Sequence, residues 1–158
     1  MDFDLAFTLV NLSVLPAWFL LIVFPKWSFT RVAIHSMLYP LILGVVYTVG
    51  LGFAVFGGMG AADGSFTTIS GVRALFSTDI GILVGWTHYL LFDLFVGAWI
   101  ARDAKRRGFS HALLIPCLLF TFMAGPFGLL LYVLLRKATA KGGWSLFEAN
   151  STSNDINT

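Results

Sequence analysis

Two side chains able to carry a proton, His88 and Asp93, stand in the stretch WTHYLLFD at positions 86–93, within an otherwise apolar run at 80–101. Histidine titrates near neutrality, and a carboxyl kept in low dielectric holds its proton. The pair could therefore act on opposite sides of something held between them. Charge facing lipid is expensive, and an ionisable residue inside a membrane segment reads by default as part of a functional site. At about 100° per helical residue the two groups stand roughly 140° apart. They are no same-helix dyad, which needs a spacing of three or four. The arrangement that fits is a cavity edged by His88 and Asp93, with Trp86 and Tyr89 facing inward. Asn11 and Tyr47, on other apolar segments, fall in the same half of the membrane by helical rise. Arg73 and Asp79 adjoin them in the preceding connection. His88 and Asp93 are thus the catalytic candidates, and Asn11, Tyr47, Arg73, Asp79, Trp86 and Tyr89 the substrate-binding ones. The plainer readings are an Asp93 bonded to Asn11 or Tyr47 as interhelical glue and a His88 satisfied in the interior.

A second polar cluster comprises His35, Arg102, Asp103 and His111, with Arg106 and Arg107 beside them. Asp103 and Arg107, at i, i+4, can pair, and the cations suit an anchor touching lipid phosphate. His35, His111 and Asp103 lack any close metal-ligand spacing, so no metal is expected. Without a Walker loop, a dinucleotide fingerprint or a haem-attachment motif, no cofactor is expected either. The single Cys117 rules out an intrachain disulfide and reads as a small apolar filler.

The elements that must hold these groups are apolar. Of 158 residues, 58% are hydrophobic and only 11% charged, against about a quarter charged in soluble domains. Four segments, 5–24, 33–57, 81–101 and 112–135, reach the roughly 20 residues a crossing needs. The expected fold is all-α, an integral-membrane four-helix bundle of antiparallel hairpins with a longer second connection at 58–80. Part of that connection, SFTTISGVRALF, predicts a short interfacial helix with Val72, Leu75 and Phe76 against the bundle. Residues 1–141 make one transmembrane domain, and 142–158 a polar tail expected to be disordered. Glycines in the second span predict close helix packing, and Pro116 and Gly125-Pro126 predict kinks in the fourth. The acidic start, Asp2 and Asp4, lacks a secretory n-region, so the first span is expected to be retained. Six cations near the first and third connections against four on the other side place both termini outside. A net charge of +2 is too small to suggest nucleic acid.

The strings GVRALFS, GWTHYLLFDLFVGAWIARDAKRRGFSH and LLIPCLLFTFMAGPFGLLLYVLLR resemble a known family. It is the group of abscisic-acid-deficient membrane proteins, required in plastids for neoxanthin synthesis, with bacterial relatives. The resemblance covers residues 3–136, and the lack of a transit-like start points to a bacterial relative in the inner membrane. It implies a four-span enzyme acting on a carotenoid or related isoprenoid lipid by non-redox isomerisation and epoxide opening. On that reading Asp93 is the acid, His88 the base, and Tyr89 or Arg73 holds the oxygenated ring. The rival readings are a non-catalytic carotenoid-binding or assembly protein and a small proton-linked transporter. Expected partners are the isoprenoid, membrane lipid, and either a second copy of the chain or a partner carotenoid enzyme.

Overall fold

Each helix begins and ends where its residues require it. Asp2 caps α1 (Phe3–Val23), its carboxylate accepting from the Leu5 N–H at 3.0 Å. Thr68 does the same for α4 (Ile69–Leu75) and Thr78 for α5 (Asp79–Arg106). Between them lie α2 (Ser28–Ala33) and α3 (Leu38–Phe56), and after them α6 (His111–Met123) and α7 (Gly125–Ala138). The computed structural model describes residues 2–144, and among these every regular element is a helix. The tail expected to be disordered falls mostly outside the described residues.

Among the described residues three helices, α1, α3 and α5, are long and apolar enough to cross a membrane. With 28 residues α5 is about 42 Å long. It exceeds the roughly 30 Å hydrocarbon core, so its last turns carry Arg102, Asp103 and Arg106 beyond it. This helix is central, packing on α1, α3, α6 and α7. α1 runs parallel to it, Asn11 meeting Trp86 and the Trp18 ring lying against Gly97. α3 runs antiparallel, Gly50 meeting Val84 and Tyr47 meeting His88. Of the second-span glycines expected to allow close packing, Gly50 does so, whereas Gly44 and Gly52 face open space. The short helix expected in the long connection forms as α4, and the Phe76 ring just beyond it rests on Gly85 of α5.

The fourth apolar segment departs from expectation. It is not one helix but two, α6 and α7, folded back on each other. Gly128 lies directly against the backbone of Thr121, whereas on one straight helix they would be about 10.5 Å apart along the axis. Phe120 and Phe127 meet edge-on at 5.0 Å between ring centroids. α6 starts where α1 ends, His111 Nε2 lying 2.7 Å from the Ile22 carbonyl oxygen. Beyond α7 the chain returns to that same end, the Lys141 ammonium donating to the Gly108 carbonyl at 2.6 Å. The turn is at Ala124, whose φ of −161° and ψ of 86° are extended. Pro126 stands in the first turn of α7, where its fixed φ starts a helix and its missing N–H costs nothing. A proline expected to kink a crossing instead opens a new helix. With 13 and 14 residues, each arm is about 20 Å long, too short to span.

The hairpin also corrects the charge count. It brings Arg136, Lys137 and Lys141 to the end that already holds Lys26, Arg31, Arg102, Lys105, Arg106 and Arg107. Nine of the ten cations now share one end, and only Arg73 lies at the other. The two ends of the described chain lie apart, contrary to the expectation of a shared side. A six-to-four bias has become nine to one, so the cations gather at one end of the bundle rather than dividing between two.

Candidate functional site

Asp93 is 6% exposed, and its Oδ2 accepts from the Gly125 N–H at 3.2 Å. Ala124, at the N-cap position of α7, offers no side-chain cap. A carboxylate from α5 therefore supplies one, where helix-terminal N–H groups favour negative charge. One turn earlier the Tyr89 hydroxyl donates to the Met123 carbonyl at 2.6 Å, satisfying an acceptor that α6 leaves open at its end. Tyr89 and Asp93, at i, i+4, thus hold the two sides of the hairpin tip. Trp86 extends this inner wall toward α1. Its Nε1–H donates to Asn11 Oδ1 at 3.0 Å, and its ring stacks on Tyr89 with centroids 5.0 Å apart. The Asn11 amide in turn donates to the Phe7 carbonyl at 2.7 Å.

His88 faces elsewhere. It is exposed on the outer side of α5, its ring 4.6 Å from that of Phe92 and 5.7 Å from that of Tyr47 on α3. The divergence of about 140° expected from helical geometry separates an inner wall from an outer ledge. The expected cavity edged by both His88 and Asp93 is corrected on this point, because the hairpin tip fills the space before Asp93. The partner of Asp93 is Gly125 rather than Asn11 or Tyr47. Arg73 on α4 and Asp79 in the first turn of α5 are exposed at the end away from the basic cluster.

The second cluster also divides. Asp103 is fully buried. Its Oδ2 accepts from Arg107 Nε at 2.7 Å and the Tyr132 hydroxyl at 2.6 Å, with Arg136 Nη1 at 3.2 Å; its Oδ1 accepts from Arg106 at 2.8 Å. The expected Asp103–Arg107 pair forms, but Tyr132 and Arg136 went unread in the sequence. Their i, i+4 spacing on α7 was visible, yet only the fold-back brings them to Asp103. His111 holds the end of α1, and His35 and Arg102 line cavities on the other side of α5.

His35 lies between α2 and α3, and its Nδ1 is buried without a hydrogen-bond partner among the described residues. Burial, then the charges of Arg102 and Lys105, hold its pKa below the usual histidine range. The folded state thus binds fewer protons than the unfolded one below a pH of about 6.5. Stability from this residue is intact above that pH and is lost as pH falls. In detergent, the thermal midpoint should drop as pH falls below about 6.5, and His35→Gln should flatten that drop. An acid-side slope identical in both proteins would refute the assignment.

Three long apolar helices with α5 at the centre, and a hairpin held by two buried carboxylates, Asp93 and Asp103, define a small all-helical membrane protein. Its polar groups form an inner wall, an outer ledge and a basic end. The chain belongs to the ABA DEFICIENT 4-like family, whose model matches residues 5–132. Protein ABA DEFICIENT 4, chloroplastic, of Arabidopsis thaliana is 28% identical over 120 residues, covering 72% of this chain and 54% of that protein. The chain therefore spans about half the length of this curated relative. No solved structure matches it. The family resemblance carried by the sequence strings is borne out.

Proposed function

We propose that this protein holds a carotenoid or related isoprenoid along the outer face of α3 and α5 and rearranges it without net redox change. The observation that carries the reading is the ledge of His88, Tyr47 and Phe92. It sets an ionisable ring among aromatics on a lipid-accessible surface, where a polyene arrives without entering the core. Family membership supports neoxanthin-type chemistry. In that reaction a proton leaves the polyene, its C–H electrons form the new double bond of an allene, and the epoxide C–O bond breaks. The oxygen takes up a proton, so atoms and electrons balance without an oxidant. His88 is the base. Tyr47, whose ring lies 5.7 Å from that of His88, protonates the oxygen on this reading and takes the acid role that the family resemblance implied for Asp93. Asp93 then serves as a positioning residue that fixes the hairpin behind the ledge.

The engagement of Asp93 at the hairpin tip, away from His88, also favours a second reading, in which the ledge binds a carotenoid without changing it. Violaxanthin reconstituted with the full chain in liposomes separates the two. Turnover to an allenic product should fall at least about 100-fold in His88→Ala, with pigment binding retained. Pigment bound but unchanged would support the second reading. A protein that binds no polyene would overturn both.

A further inference from the structure

At the basic end, away from the ledge, a cavity of about 740 Å³ opens between the α1–α2 connection, α5 and the start of α6. Lys26, Arg31, Arg102 and Lys105 line it, and among the described residues no carboxylate does. The neighbouring Arg106, Arg107 and Arg136 converge on Asp103. The four cavity cations have no ion pair among the described residues. Like charges gathered around one concave space repel. The volume falls in the range of small-molecule sites.

A smaller cavity of about 130 Å³ adjoins it, sharing His35 and Arg102. Its other walls include Leu43 of α3 and Leu94 and Phe95 of α5, so it leads from the charged space toward the apolar interior. A site cationic at one end and apolar at the other fits a molecule built the same way. Arginine forks and lysine ammonium groups recognise phosphate oxygens, and basic pockets between helices at the cytoplasmic side take anionic head groups.

We propose that the joined cavities bind a phosphate-bearing amphiphile, its phosphate among Lys26, Arg31, Arg102 and Lys105 and its apolar chain along Leu43, Leu94 and Phe95. The phosphate could come from a lipid or from a free anion, and the shared cavity walls favour the lipid. The lowered pKa of His35 fits the same electropositive field.

The test uses the full chain purified in neutral detergent, with thermal unfolding and native mass spectrometry as readouts. The probes are phosphatidic acid, phosphatidylcholine and inorganic pyrophosphate. Phosphatidic acid should raise the unfolding midpoint saturably and stay bound in the mass spectrum. Phosphatidylcholine, whose choline neutralises its phosphate, should do neither. Arg102→Gln with Lys105→Gln should weaken phosphatidic acid binding at least tenfold, while Arg73→Gln at the opposite end leaves it unchanged. Phe95→Ala should weaken the lipid but not pyrophosphate. If the double variant unfolds, the single Lys105→Gln, on an exposed position, carries the comparison at a threefold or greater loss. Equal binding of phosphatidylcholine, or full binding by Lys105→Gln and the double variant, would overturn the proposal. Pyrophosphate binding as tightly as the lipid would overturn the amphiphile and leave a free-anion site in its place.

Discussion

Asp103→Asn is expected to destabilise the folded protein by about 3–5 kcal/mol, the loss typical of removing one partner from a buried ion pair. Arg136 is only 1% exposed, and its guanidinium lies 3.2 Å from the fully buried Asp103 carboxylate. Neutralising Asp103 removes the buried charge on which the Arg107 and Arg136 guanidinium groups converge. It also weakens the acceptor of the Tyr132 hydroxyl, itself fully buried. Arg106 contributes little to the total. Its side chain is 61% exposed, and exposed pairs are worth about 0–1 kcal/mol. The comparison that isolates the buried pair is Asp103→Asn with Arg136→Met, in which neither charge remains inside. The double variant should be more stable than the two single losses added, by about 0.5–3 kcal/mol. Unfolding midpoints in detergent measure this, and strict additivity would show that the two residues do not act on each other.

The second large effect belongs to the hairpin tip. A β-carbon on Gly125 would run into the Asp93 carboxylate, so Gly125→Ala must push α7 away from α5 or turn Asp93 aside. Overpacking of this kind costs about 1–3 kcal/mol, and losing the hydrogen bond adds about 0.5–1.5 kcal/mol. Cys117 reports on the hairpin directly. It lies on α6 and is 2% exposed, so its thiol should be nearly inert to maleimide in the native protein. In Gly125→Ala, labelling should accelerate at least tenfold and the unfolding midpoint should fall. Asp93→Ala in the same chain should relieve the collision and cost less than the two changes summed. Unchanged labelling and an unchanged midpoint would show that the tip tolerates the added carbon.

What could be read from the sequence was whatever depends on local pattern. The apolar runs marked α1, α3 and α5, the connection marked α4, and the i, i+4 spacing of Asp103 and Arg107 marked their pair. Helical angle alone separated His88 from Asp93. What each side chain faces was not local. Asp93 meets Gly125, 32 residues on, and no periodicity announces such a contact. The hairpin escaped for a related reason, since hydropathy measures how apolar a segment is and not which way it runs. Gly125-Pro126 is consistent with either a kink or a fresh helix start. The choice falls to Asp93, a capping carboxylate on another helix. Arg136 followed from that error, looking like a charge at the end of a crossing when it is a buried partner of α5.

The hairpin bears on how the chain enters its membrane. Among the described residues three helices are long and apolar enough to cross where hydropathy counted four, and an odd number leaves the end of α7 on the side opposite Asp2. Once α5 is inserted, the rest of the described chain can be laid in from the side where α5 ends. No lysine or arginine after position 73 has to be carried through the bilayer.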